Sequence, residues 1–255
     1  MDSNPAGGRS GTVSRKTRLR IDQWKEGNHV SGETGKEATP EILKKVASTL
    51  YAGALSDILD ELGYRHQVVD PNTGIRPLNP GSVVVGRART LLNDVDSRAD
   101  EPYEMAIEAM DALQPGDVLV ASSRGPICTG IFGELSATRV RARKGIGAVI
   151  DGFTRDGRKL LSMDFPVFAK GISPIDTTGR VRVVEYDVPV QLGQLRVEPG
   201  QIIFADYDGL LVIPREIEDD VLEKALERAD VESQVRSELQ SGSSLDTVWK
   251  KYHVL

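Results

Sequence analysis

Glu134 and, after twenty intervening residues, the adjacent pair Arg155 and Asp156 are the side chains whose types and spacing suit chemistry on a small organic anion. An arginine presents a planar fork that binds a carboxylate through two parallel hydrogen bonds, which a lysine does not match. An aspartate is a hard oxygen ligand for Mg2+ or Mn2+, and Mg2+ accepts one or two protein carboxylates while keeping several waters. A glutamate beside them can hold one of those waters or move a proton. Together the three residues describe a site for a 2-oxo acid. The cation chelates the keto oxygen and one carboxylate oxygen and stabilises the enolate left when a carbon–carbon bond breaks, while Arg155 neutralises the remaining carboxylate charge.

Positioning these groups is a task for the flanking elements. Thr129-Gly130-Ile131-Phe132-Gly133 reads as a glycine-containing turn, and Glu134 to Lys144 as the helix it opens. The backbone N–H groups from Gly133 through Glu134 and Leu135 to Ser136 then face an anion at a helix N-terminus. Gly145-Ile146-Gly147 turns the chain into an apolar strand, Ala148 to Ile150, which is expected to deliver Asp151, Gly152, Arg155 and Asp156 to one end. Ligands of α/β sheets gather where strand ends meet helix starts.

Other readings of these residues carry less chemistry. An Arg-Asp dipeptide after a strand is by itself also a surface ion pair or a turn. Gly145 and Gly147 follow a helix and open a strand, the reverse of the order a dinucleotide loop requires. Cys128 finds no evident histidine partner among His29, His66 and His253, and Lys170, a formal Schiff-base candidate, sits in a strand-end turn where lysine is solvated. No His-rich or Cys-rich cluster points to zinc.

The rest of the chain supplies an α/β framework. Thr39-Pro40-Glu41 reads as a helix start, with Ile42, Leu43, Val46 and Leu50 on its buried stripe, and a second helix from about Ala52 places Leu55, Ile58, Leu59 and Leu62 on one face before stopping at Gly63. Pro80-Gly81, Pro115-Gly116 and Pro199-Gly200 each launch a run of β-branched or apolar residues, the mark of a strand entering a buried sheet. Further strands are expected at Val167–Ala169, Val181–Tyr186 and Leu210–Ile213, a helix at Tyr103–Leu113, and an amphipathic closing helix from Arg215 to about Leu239 with Val221, Leu222, Ala225 and Leu226 inward. Alternating strands and helices predict an α/β domain with mixed sheets over 40–240, preceded by a polar, disordered extension (1–39) with Ile21 and Trp24 as its apolar anchor, and followed by a C-terminal extension (241–255).

Composition narrows the partners. A net charge of -6 over 255 residues argues against nucleic acid, and the one dense basic run, Arg15 to Arg20, lies in the polar tail as a solvated segment. Cys128 is the single cysteine, so no intrachain disulfide forms, and without an apolar run long enough for a membrane the expected location is cytoplasmic.

Several stretches are similar to one family. "SDILDELG" at Ser56 to Gly63, "GIRPLNPG" at Gly74 to Gly81, "VVGRARTL" at Val84 to Leu91, "QPGDVLV" at Gln114 to Val120, "AVIDGFTRD" at Ala148 to Asp156 and "VEPGQIIFADYDGLLVIP" at Val197 to Pro214 resemble the family of regulator of ribonuclease activity A and the class II 4-hydroxy-4-methyl-2-oxoglutarate aldolases. The resemblance implies a three-layer β/β/α sandwich, assembled as a homotrimer or a dimer of trimers with sites at subunit interfaces. It implies Asp156 for a divalent metal, Arg155 for the pyruvyl carboxylate, and Gly133, Glu134, Leu135 and Ser136 for the substrate cradle. It also implies oxaloacetate decarboxylation, through the same pyruvate enolate. A non-catalytic regulator of ribonuclease E, or a sugar-acid lyase or dehydratase on the same site, are the other functions it carries. Glu134 departs from the aspartate that many aldolase members have there.

Overall fold

Thr39 caps the first helix through its hydroxyl, which accepts from the Ile42 amide at 3.3 Å; this is the start of α1 (Pro40–Thr49) in a computed structural model that describes residues 38–254. These residues belong to one unit, Glu37–Leu255. The expectations for the extension, including Ile21, Trp24, Arg15 to Arg20 and His29, concern residues outside those described. Helix α2 (Ala52–Glu61) follows at once and closes at Gly63, whose φ of +88° suits glycine.

The Pro-Gly turns open strands as the residues dictate. Gly116 and Gly200 adopt φ of +88° and +81° ahead of β3 (Asp117–Ser123) and β10 (Ile202–Ala205). Strand β2 (Val84–Val95) runs far beyond its apolar start. A short β1 (Arg76–Pro77), β4 (Gly130–Phe132), β5 (Gly147–Thr154), β6 (Val167–Ile172), β7 (Val181–Tyr186) and β11 (Leu210–Ile213) complete a nine-stranded sheet ordered β1-β6-β5-β3-β2-β10-β11, with β4 on β5 and β7 on β2. The segment β2-β3-β5-β6 is parallel and both ends are antiparallel, so the sheet is mixed. A separate hairpin joins β8 (Val190–Leu192) to β9 (Leu195–Val197).

Alternation along the strands assigns three cores. Val118 and Val120 of β3, Val149 of β5, Phe168 of β6, Ile203 of β10 and Val212 of β11 share a core with Val190, Leu192 and Val197 of the hairpin, so the sheet curls around an inner β/β layer. Leu119, Ala121, Ala148, Ile150 and Val167 point the other way, onto α3 (Glu104–Asp111), α4 (Glu134–Ala142) and α5 (Gly157–Ser162). At the far end Ile202, Phe204, Leu211 and Ile213 pack on α1, α2 and α6 (Glu218–Gln240). The result is an α/β fold of the β/β/α type.

Two expectations change. Thr129–Gly133 is not simply a turn, because Gly130–Phe132 pairs in parallel with Phe153 and Thr154. The strand expected at Ala148–Ile150 continues to Thr154, which places Asp151 and Gly152 within it. Asp151, two residues from Val149, faces the inner layer, where its Oδ2 accepts from the Gly193 amide at 3.2 Å and its Oδ1 pairs with Lys170. Within 241–255, Leu245–Tyr252 forms α7, with Val248 buried and Ser244 capping it.

Candidate active site

Backbone hydrogen bonds between β4 and the end of β5 bring the sequence-distant groups together. The Phe132 carbonyl accepts from the Thr154 hydroxyl at 2.7 Å and from the Arg155 amide at 2.8 Å, which fixes where β5 releases the chain. Gly130 and Gly133 permit the approach: a Cβ on Gly130 would stand 2.8 Å from Arg155 Cβ, and one on Gly133 would stand 2.7 Å from Asp156 Oδ2. Asp156 itself adopts φ 58°, ψ 30°, a left-handed conformation that aspartate tolerates better than most side chains, at the position ahead of α5 but with no side-chain hydrogen bond to that helix.

That conformation turns the Asp156 carboxylate back toward α4. Its Oδ2 accepts from the Glu134 amide at 3.1 Å, satisfying one first-turn donor of that helix. Arg155 Nε lies 3.7 Å from the same oxygen, and Arg155 Nη1 donates to Asp176 Oδ1 at 2.6 Å. Asp176 also accepts from the Thr178 amide at 3.1 Å and from the Tyr103 hydroxyl at 3.3 Å. The Thr178 hydroxyl and amide, then Arg155, hold its carboxyl down at about 2. Asp176 was not among the expected site residues and Tyr103 was expected only as the start of a helix; Asp176 reaches Arg155 from a loop, and Tyr103 reaches Asp176 from the residue ahead of α3.

These groups rim a cleft of about 510 Å3 between α3, α4 and the ends of β2, β4 and β7. Gly133, Leu135, Ser136, Arg155 and Asp156 line it, and Leu135 is 79% exposed there. Glu134 contributes its amide to Asp156, while its carboxylate turns to Lys159 at 3.4 Å and to the Thr138 hydroxyl at 3.2 Å. Cys128 is exposed, and Lys170 is occupied by Asp151. Among the described residues no three His, Cys, Asp or Glu side chains are grouped to cage a metal ion, and no helix is long and apolar enough to cross a membrane.

Comparison with known proteins points to one group. A family model described as RraA-like, Aldolase/RraA, matches residues 52–212. A Halalkalibacterium halodurans protein named "Putative 4-hydroxy-4-methyl-2-oxoglutarate aldolase" is 32% identical over 190 residues, covering 74% of this chain and 85% of its own. Protein DlpA of Legionella pneumophila is 26% identical over 216 residues, 85% of this chain; the match spans only 34% of that longer protein. Among solved structures, Streptomyces coelicolor RraAS2, described as an unusual member of the RNase ES inhibitor RraA family, superposes with a TM-score of 0.68 at 27% identity, covering 80% of this chain and 99% of its own.

Proposed function

The chain belongs to the RraA-like family, and from that membership and the Arg155–Asp156 rim of the cleft we propose a divalent-metal-dependent lyase. It cleaves a 2-oxo acid such as 4-hydroxy-4-methyl-2-oxoglutarate or oxaloacetate and releases pyruvate. The observation that carries this reading is the meeting, on one rim, of a carboxylate, a guanidinium and the first turn of a helix.

The donor set fits Mg2+ or Mn2+. Asp156 is a hard oxygen ligand facing a cleft, with the neighbouring Asp176 committed to Arg155, which matches an ion that keeps most of its waters and takes the rest of its ligands from substrate. When bound, such an ion supplies Lewis-acid polarisation of the 2-oxo group. Asp156 holds it. The edge of Arg155 not committed to Asp176 meets the substrate carboxylate, and the first-turn amides at Leu135 and Ser136 add N–H donors with the positive end of the helix dipole. Glu134, beside them with Lys159 as its partner, orients water and moves a proton.

Pyruvate release from both acids, with and without EDTA, tests the reading. Absence of metal-dependent turnover, or full activity in Asp156→Ala, ends it. Assembly as a homotrimer or dimer of trimers belongs to the same proposal, and a light-scattering mass equal to the 27.8 kDa of one chain would overturn it. The description of the Streptomyces neighbour keeps a second reading, a regulator that binds an RNase E-type enzyme. Co-purification of this protein with RNase E, undiminished in Asp156→Ala, is its signature. A sugar-acid lyase or dehydratase is separated from the aldolase by the substrate panel alone.

A further inference from the structure

The cleft holds a second open guanidinium, further along α4 from Arg155. Arg139 follows Leu135 and Ser136 by four and three residues, the spacing of one helix face, and all three line the cleft. Its Nε lies 2.6 Å from Asp111 Oδ1 at the close of α3, and among the described residues its two Nη groups donate to no protein atom. Arg182 borders the same space from β7 but is sunk in the wall. Its side chain is 14% exposed against 44% for Arg139, its Nη2 donates to the carbonyls of Asp100 at 2.9 Å and Arg98 at 3.2 Å, and its buried Nε, 3.2 Å from Asp96, makes no hydrogen bond. Arg139 is therefore the guanidinium that offers a ligand its Nη edge, which takes a carboxylate by two parallel bonds.

The helices flanking the cleft set the distance between the two arginines. Gly133 stands against Arg155, and six residues of α4 at about 1.5 Å each put the Arg139 backbone about 9 Å further along. Tyr103 donates to Asp176, the partner of Arg155, and eight residues of α3 lead from it to Asp111, about 12 Å. A five-carbon diacid spans about 5 Å between its carboxylate carbons, and a charge-assisted bond adds about 2.8 Å at each end, so its two cationic partners belong about 10 Å apart. The same cleft offers hydrocarbon from Leu91, Met110 and Val183 to the carbon chain.

We propose that Arg139 is the specificity-determining residue of the cleft: with the C1 carboxylate of the substrate at Arg155, its Nη edge binds the carboxylate carried on C4 of a 4-hydroxy-2-oxo diacid. The proposal rests on the lyase reading and adds to it the residue that selects diacids over monoacids. The distal carboxylate keeps its charge through the reaction, since C4 departs as the carbonyl of a second 2-oxo acid, so Arg139 holds substrate and leaving fragment alike. Binding of that kind acts on KM more than on kcat. An apolar group of the same size at C4 would displace water from the Nη edge and leave its donors unpaired.

The test compares kcat/KM for pyruvate release, with Mg2+ present, from 4-hydroxy-2-oxo acids that carry carboxylate or an isopropyl group of similar shape at C4. The wild type is expected to favour the carboxylate compound by about tenfold or more, and Arg139→Met to erase that preference by raising KM for the carboxylate compound with little change in kcat. Methionine forms helix about as well as arginine and position 139 is exposed, so the fold is kept; Arg139→Gln repeats the measurement with a second side chain. Arg139→Lys, which keeps the charge without the fork, is expected to retain part of the preference. A wild-type preference for the isopropyl compound, or a ratio unmoved by Arg139→Met and Arg139→Gln, overturns the inference. If neither compound releases pyruvate, the lyase reading fails separately, and calorimetric titration with 2-oxoglutarate and 5-methyl-2-oxohexanoate decides about Arg139. Tighter binding of 2-oxoglutarate that Arg139→Met abolishes upholds the assignment. Equal or weaker binding of 2-oxoglutarate, no binding of either, or a preference that survives Arg139→Met overturns it.

Discussion

The Arg155 guanidinium donates to Asp176 at 2.6 Å across a gap of twenty residues in sequence, and Asp176 is itself held by Thr178 and Tyr103. One Nη of the fork is thereby fixed, which orients the remaining edge toward the cleft before any carboxylate arrives. Asp176→Asn keeps the shape and removes the charge. It is expected to raise KM for the 2-oxo acid about tenfold with a smaller change in kcat, read by steady-state kinetics. An unchanged KM would show that Arg155 orients itself.

The hydrogen bonds that hold Asp176, those from Thr178 first and then that from Arg155, predict a pH dependence. Asp176 titrates at about 2 in the fold against an ordinary 3.8, so its contribution to stability is complete above about pH 4 and is lost as pH falls toward 2. Its side chain and that of Arg155 are about two-fifths exposed, so the contribution is less than about 1 kcal/mol. Urea unfolding of the wild type and of Asp176→Asn should differ at neutral pH and converge near pH 2. A gap that persists there would mean the aspartate acts through something other than its charge.

Asp156 combines two roles that substitution can separate. Its oxygen accepts from the Glu134 amide, an interaction of the capping kind worth about 0.5–2 kcal/mol, and the same carboxylate is the proposed cation ligand. Asparagine can accept from the amide but brings no charge. Asp156→Asn is therefore expected to unfold within about 0.5 kcal/mol of wild type while losing metal-dependent turnover about a thousandfold, and Asp156→Ala to lose both. Equal activity in wild type and Asp156→Asn would remove the cation from this position.

Much of this site was legible because its parts follow local rules. The Pro-Gly turns marked β3 and β10, since Gly116 and Gly200 need the positive φ that glycine allows, and Glu134 opened a helix where expected. What stayed hidden depends on contacts between distant segments. Asp176 lies in a loop with no periodicity, and the β4–β5 and β5–β6 pairings, with the Gly130 amide donating to the Ile175 carbonyl at 2.9 Å, carry it to Arg155. Asp151 was expected at the same strand end as Arg155 because β5 was read too short; four further strand residues turn it to the other face. The β8–β9 hairpin left a usable signal, alternating Val190, Leu192, Leu195 and Val197 about Gly193 at φ +60°. The Ser244 cap of α7 was equally readable, with its side chain accepting from the Thr247 amide at 3.2 Å.

Glu134 poses a narrower question, because its amide and its carboxylate face different neighbours. If the carboxylate moves a proton, Glu134→Gln should lower kcat about a hundredfold with little change in KM, and the pH profile of kcat should lose one limb. Activity within about twofold of wild type would assign its role to the backbone amide alone, which glutamine preserves.

Gly133 gives the sharpest separation of stability from activity. Its backbone is extended, φ -150°, ψ -170°, so alanine meets no conformational penalty there. The added Cβ would, however, stand 2.7 Å from Asp156 Oδ2 and 2.9 Å from Arg155 Cγ, inside the range where something must move. Both obstacles are flexible side-chain atoms, and both side chains are more than a third exposed, so the fold yields at little cost. The proposed cation ligand and the carboxylate-binding guanidinium are what yield. Gly133→Ala is thus expected to unfold thermally within a few degrees of wild type while kcat/KM falls about a hundredfold, the loss that a displacement near 1 Å produces in a positioned site. A variant with wild-type kcat/KM would mean that Arg155 and Asp156 tolerate such a shift, and that chemistry is set elsewhere in the cleft.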